Sequence, residues 1–242
     1  MRVGRGRPRP VLVRKHAVQE VVCRFARRRP LHFISHLDIV RTIERALRRA
    51  NVPVAYTAGF NPRPRLSFAT AIAVGMTSEA ELMCLQLAEG MSAEAVQTAL
   101  NQQLPEGLEV VSAWAVPTYK GKFPLGEVDT AEYDLDVDGF VEPESVEQCI
   151  AEFLCQEHHW IKRTSDKRTK ELDLRPLVET IKVSECTPER VRLHLVARMS
   201  SQGGARPEEV LAVIGLADGQ HRSTVHRTAL YAKPQPTRAG QR

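Results

Sequence analysis

The apolar residues of this chain switch between a two-residue and a 3.6-residue period, and the switching occurs twice in the same order. Val21, Cys23 and Phe25 alternate with Val22, Arg24 and Ala26, which predicts a strand over 21–26. Ile39, Val40, Ile43, Ala46, Leu47 and Ala50 fall within one arc of a helical wheel, which predicts an amphipathic helix over 37–50. Alternation resumes over 66–74 and 81–88, with a turn at 75–78. Ser92 opens a second helix to about residue 104, and a strand follows at 108–116. Strand, helix, strand, strand, helix, strand is the split βαβ order of a ferredoxin-like domain, here expected over 17–118. Beyond a linker at 119–130 that carries Gly121, Pro124 and Gly126, the order returns. It runs strand 133–137, helix 143–155, strand-like segments 160–164 and 171–183 broken at Pro176, strand 191–199, helix 207–215 and strand 223–231. The expected fold class is therefore α+β: two tandem ferredoxin-like (βαββαβ) domains with antiparallel sheets, the second over 131–232.

Charge is distributed unevenly along this framework. The first 67 residues hold fifteen Arg and Lys15 against Glu20, Asp38 and Glu44, a net +13, so the remainder carries −8 within a total of +5. Part of the positive charge lies in an arm, 1–16, where five arginines alternate with Gly and Pro; a tail at 233–242 is similar. Neither segment can bury apolar area, so both are expected to be disordered, adding unspecific affinity for polyanions. The rest belongs to the predicted domain. Arg27, Arg28 and Arg29 end the first strand, while Arg41, Arg45, Arg48 and Arg49 occupy the helix arc opposite the apolar one. Ser35 is the expected N-cap of that helix, and Asp38 three residues on completes a capping-box pattern. In the loop at 57–65, Gly59 and Asn61 tolerate positive φ, Pro62 and Pro64 stiffen the backbone, and Arg63 and Arg65 are presented. Guanidinium groups grip two phosphate oxygens at once, so these nine arginines form a candidate nucleic-acid-binding set.

Other chemistries are less well supplied. Cys23, Cys84, Cys149, Cys155 and Cys186 match no zinc or iron–sulfur spacing, and Met1–Arg5 lacks the apolar core of a secretory signal. Free thiols in a reducing cytoplasm are expected. No stretch approaches the roughly 20 apolar residues of a membrane helix. His36, beside the capping serine, is the one candidate general base, though its angle lies near the buried arc. His32 and His36 are four apart, but the turn before Ser35 breaks helical spacing and no third ligand is near, so no metal site is expected. Asp134, Asp136 and Asp138 share a strand face, which reads as a solvated face before a cation site. Lys167, Arg168 and Lys170 read equally as an extension of the basic surface or a solvated hairpin tip. The strand aromatics Phe25, Phe68, Trp114 and Trp160 fit core positions as well as they fit a base-stacking platform.

Phe33-Ile34-Ser35-His36-Leu37-Asp38, the helix end Ala46-Leu47-Arg48-Arg49-Ala50, the run from Gly59 to Ala69 and the run from Val74 to Glu81 resemble a bacterial family of radical-SAM-linked proteins. The strong motifs lie within 20–90, with a looser match to about residue 230. The family pattern has His and Lys where this chain has Arg63 and Arg65, so no ligand or base role passes to those positions. Members occur alone or fused behind a radical S-adenosylmethionine protein of the cobalamin-binding type. The resemblance therefore implies a radical SAM partner enzyme that carries the iron–sulfur cluster, S-adenosylmethionine and cobalamin. This chain lacks the Cys-x-x-x-Cys-x-x-Cys loop and is expected to hold no cofactor itself.

The expected function is non-catalytic binding of RNA, tRNA or rRNA, on behalf of that partner. Two alternatives stand beside it: a metal-free RNA-processing enzyme using His36, and a protein–protein adaptor whose arginines dock an acidic surface.

Overall fold

The structure is a computed structural model that describes residues 16–117, 125, 128–139, 142–165, 168–199, 204–217 and 221–232. The expected arm, apart from His16, the tail, most of the linker and Lys167 lie outside the described residues. The elements are β1 (Gln19–Arg27), α1 (His36–Arg49), β2 (Leu66–Phe68), β3 (Thr77–Leu87), α2 (Ala93–Asn101) and β4 (Leu108–Val116). These are followed by β5 (Thr130–Asp138), α3 (Pro143–Cys155), β6 (Trp160–Ser165), β7 (Arg168–Asp173), β8 (Val178–Thr187), β9 (Arg190–Arg198), α4 (Pro207–Val213) and β10 (Arg222–Tyr231).

Eight strands form one mostly antiparallel sheet in the order β4-β1-β3-β10-β5-β9-β8, with β2 paired to β3; β6 and β7 form a separate two-stranded ribbon. The sequence divides the strands between two sheets, and the structure joins them. The join is a short parallel pairing of His226 and Arg227 in β10 with Thr77 and Ser78 in β3. It exists because the strand expected over 66–74 stops at Phe68. Only Met83, Cys84 and Leu85 of β3 are covered by β2. The start of β3 would otherwise be an unpaired edge, and β10 satisfies it. Residues 69–76 leave the sheet, and Gly75 returns a hydrogen bond to the His32 carbonyl at 2.7 Å.

One face of the sheet carries Val21, Phe25, Met83, Leu85, Leu135, Leu193 and Leu195 against Ile39, Ile43, Leu47, Val96, Ile150, Phe153 and Val210 of the helices. These residues, from both halves, form a single apolar cluster. On the other face of β5 and β9 the three aspartates expected on one strand face meet arginine and histidine side chains. Asp136 pairs with Arg190 at 2.7 Å and Arg192 at 2.8 Å, Asp138 lies 3.7 Å from Arg190, and Asp134 lies 3.0 Å from His194. Phe25 is buried and packs edge-on to Phe68 at 5.9 Å, whereas Trp114 and Trp160 are 42% and 65% exposed. Among the described residues no helix is long and apolar enough to cross a membrane.

Candidate functional site

Ser35 caps α1, its hydroxyl oxygen accepting from the Asp38 N–H at 3.2 Å while its own proton goes to Asp38 Oδ2 at 2.7 Å. The cap fixes where the helix starts, and so which way its arginines face. Ile39, Ile43, Ala46 and Leu47 are buried, and Arg41, Arg45, Arg48 and Arg49 are exposed. Arg45, Arg48 and Arg49 line one shallow depression of about 260 Å³. Arg49 is steadied by Gln103, and Arg45 Nε donates to the Arg41 carbonyl at 3.1 Å. None of these three guanidinium groups makes an ion pair within 4 Å among the described residues, although Arg45 is close enough to help the Ser35 hydrogen bond and Arg41 lower the pKa of Asp38. Arg41 is paired with Asp38 at 3.2 Å.

The other five arginines do not complete a single patch. Arg27, expected at the surface, is instead fully buried, donating to the carbonyls of Met76, Ile34 and Ala73. Burial lowers its pKa to about 10, against the opposing pull of Glu81. It holds residues 69–76 to the start of α1 and touches no solvent, so it is a structural residue. Arg28 is exposed but forked between Glu79, at 2.6 Å, and Glu109, and these bonds raise its pKa. Arg29 is exposed. Arg65 donates to Gln86 at 3.2 Å, seven residues along β3 from Glu79. That separation is about 23 Å at 3.3 Å per residue, so Arg28 and Arg65 mark opposite ends of β3. Arg63 lies on the exposed loop with Gly59 (φ +125°), Asn61 and Pro62, closed at its neck by the Arg63 N–H to Thr57 Oγ1 bond of 3.0 Å. The Arg28 N–H bonds the Gly107 carbonyl at 2.8 Å.

His36 is half-buried, its ring edge-on to Phe68 at 5.0 Å, and its Nδ1 has no partner. Burial lowers its pKa below 6.5, with Glu81 opposing. It packs on the apolar side of α1, away from Arg45, Arg48 and Arg49. Among the described residues no three His, Cys, Asp or Glu converge as a metal site.

A cavity that no sequence motif marks lies apart from the α1 arginines. A cleft of about 1060 Å³ opens between the two halves, walled by residues 69–73, Met199 and the segment leading into α4. Its floor is Arg227 of β10 and Tyr133 of β5, both almost fully buried. Arg227 NH1 donates to Glu81 at 2.8 Å and NH2 to the Tyr133 hydroxyl at 3.3 Å, with the guanidinium carbon 5.3 Å from the Tyr133 ring centre. Burial disfavours the Arg227 charge, but Glu81 and Tyr133 more than offset this and hold its pKa above the ordinary value. At the rim Arg163 forks onto Glu209 and reaches the Gly204 carbonyl at 2.6 Å. The signal for this floor was present in the alternation. Glu81 shares its face with Met83, Leu85 and Leu87, and Arg227 shares its face with Val225, so each is a charge in an inward register.

The fold is similar to that of a chain in the crystal structure of a Cbf5–Nop10–Gar1 complex, with a TM-score of 0.50 and 13% identity over 87% of this chain and 48% of that one. A chain in a structure of an H/ACA RNP bound to a substrate RNA containing 2'-deoxyuridine gives a TM-score of 0.44 at 14% identity, over 86% of this chain and 46% of that one. This chain thus spans about half the length of these two solved chains, and the likeness to the first, at 13% identity, concerns the fold. No curated protein matches it. A family model matches residues 20–207, most of the chain and both halves of the sheet, so the protein belongs to the family described as "uncharacterized protein conserved in bacteria (DUF2344)".

Proposed function

We propose that this protein is a non-catalytic RNA-binding accessory factor that holds structured RNA, tRNA or rRNA, by its phosphate backbone for a radical SAM partner enzyme. The observation that carries this reading is the convergence of Arg45, Arg48 and Arg49 on one depression without a carboxylate among them. Three exposed guanidinium groups without ion pairs, on a capped helix, form a surface able to grip an anion, with Arg49 steadied by Gln103. The partner, with its cluster, S-adenosylmethionine and cobalamin, is what the sequence resemblance implies, and it would supply the chemistry. Two tandem ferredoxin-like units, 17–118 and 131–232, are the reading of the architecture that best suits the strand orders. In the first half β4-β1-β3-β2 and in the second β10-β5-β9-β8 place corresponding strands in corresponding positions.

The test is affinity recovery from bacterial lysate with the tagged full chain. Nuclease-sensitive RNA is expected with the wild type, and at least tenfold less with the Arg45→Glu/Arg48→Glu variant. Recovery of proteins that both resist nuclease and depend on the same two arginines, with no RNA, would select the adaptor alternative and overturn the proposal.

A further inference from the structure

The cleft between the halves differs from the α1 face in its electrostatics. Its three arginines, Arg163, Arg206 and Arg227, are met by Asp129, Glu208 and Glu209 in the lining and by Glu81 behind the floor. The four carboxylates outnumber the three arginines, so the cleft has no surplus of positive charge to attract a phosphate. What it offers is two hydrogen-bond donors set in apolar walls. Arg227 Nε–H is buried and has no partner. The Tyr133 hydroxyl accepts from Arg227, which leaves its own proton without an acceptor among the described residues. Buried donors left unmade are costly, and they mark where a ligand's acceptors belong. Ile72, Met76, Val128 and Met199 supply the apolar walls, and the volume exceeds the roughly 300–1,000 Å³ of small-ligand sites.

Resting on the RNA reading above, we infer that this cleft receives one unstacked, keto-bearing nucleobase of the bound RNA, its carbonyl oxygens meeting Tyr133 O–H and Arg227 Nε–H. A base is planar, uncharged and rich in acceptors, which is what a donor-floored, apolar-walled cavity without surplus positive charge selects. Its sugar and phosphates stay outside the cleft. Extruding a base costs least where it is already unpaired, so a bulge or loop residue is the natural occupant.

The experiment uses the full chain and two RNA hairpins that differ at one bulged position, uridine in one and an abasic residue in the other. Wild type is expected to bind the uridine hairpin at least tenfold more tightly. Tyr133→Phe, which keeps the ring and removes only the hydroxyl, should cut that preference to within about threefold. Arg45→Glu/Arg48→Glu should weaken both hairpins equally. Equal affinity of wild type for the two hairpins, with the α1 arginines still mattering, overturns the cleft inference and leaves the RNA reading intact. Should neither hairpin bind, the RNA reading fails, and saturation-transfer NMR with free uridine decides the cleft. Transfer that Tyr133→Phe abolishes supports a base site, and no transfer to wild type ends it.

Discussion

Arg27 and Arg48 are the same residue type on adjacent elements, and their surroundings give them opposite roles. Arg27 satisfies the carbonyls of Ile34, Ala73 and Met76 from a site without solvent. Arg27→Ala would leave those acceptors buried and unpaired, at about 1–3 kcal/mol each in the worst case. A loss of at least about 3 kcal/mol in urea unfolding is expected, with RNA affinity of the folded protein unchanged; a loss below 1 kcal/mol would contradict the buried role. Arg227 and Glu81 form a second buried unit, 2.8 Å apart. Removing one partner strands the other, so Arg227→Met is expected to cost about 3–5 kcal/mol, and Arg227→Met/Glu81→Leu to recover much of it. His36 supplies a pH dependence. Burial depresses its folded pKa below 6.5, so the unfolded chain binds the proton more tightly. Stability is therefore retained above 6.5 and falls as pH drops from there toward the depressed value. His36→Phe should flatten that part of the profile relative to wild type, as read from urea midpoints between pH 7.5 and 5.5.

At the scale of elements, α1 depends on its cap and on the turn that follows α2. Gly107 adopts φ +89°, and a Cβ there would lie 3.1 Å from the Arg28 carbonyl oxygen and 3.2 Å from Leu31. Gly107→Ala is expected to destabilise by about 1–3 kcal/mol, and to shift the Arg28–Arg29 corner relative to Arg49. Ser35→Ala should cost about 1 kcal/mol through the lost cap. This level was the most legible from sequence. Periodicity placed α1, α3, β4 and β10 within a few residues, and Ser35 was named as the cap it is, because cap, period and stop signal are local properties. Two features were hidden because they are not local. The strand expected over 66–74 ends at Phe68, since Arg27 draws the 69–76 backbone out of the sheet. The nine arginines looked alike in sequence, and only register separates buried Arg27 and paired Arg28 from open Arg48. The inward-facing Glu81 and Arg227 were readable in principle, each a charge in an otherwise apolar alternation, but 146 residues separate the partners.

At the scale of the molecule, the β3–β10 pairing and the shared core join the two halves, which are expected to unfold as one unit. The chain has two tryptophans, Trp114 in the first half and Trp160 in the second. Trp114→Phe and Trp160→Phe variants therefore each report on one half by fluorescence, and their urea midpoints are expected to coincide. Two midpoints separated by more than the error would mean that the halves unfold independently. The same geometry divides the functional surface in two, a charged grip on α1 and an apolar-walled cleft where the halves meet. The grip is the central claim, and the salt dependence of RNA affinity tests it most directly. Each phosphate contact contributes about 0.7–0.9 to the slope of log affinity against log salt. The wild type should therefore show a slope of at least about −2, and Arg45→Glu/Arg48→Glu should flatten it by about 1.5. A wild-type affinity that does not change with salt, or a slope the double variant leaves untouched, would contradict it.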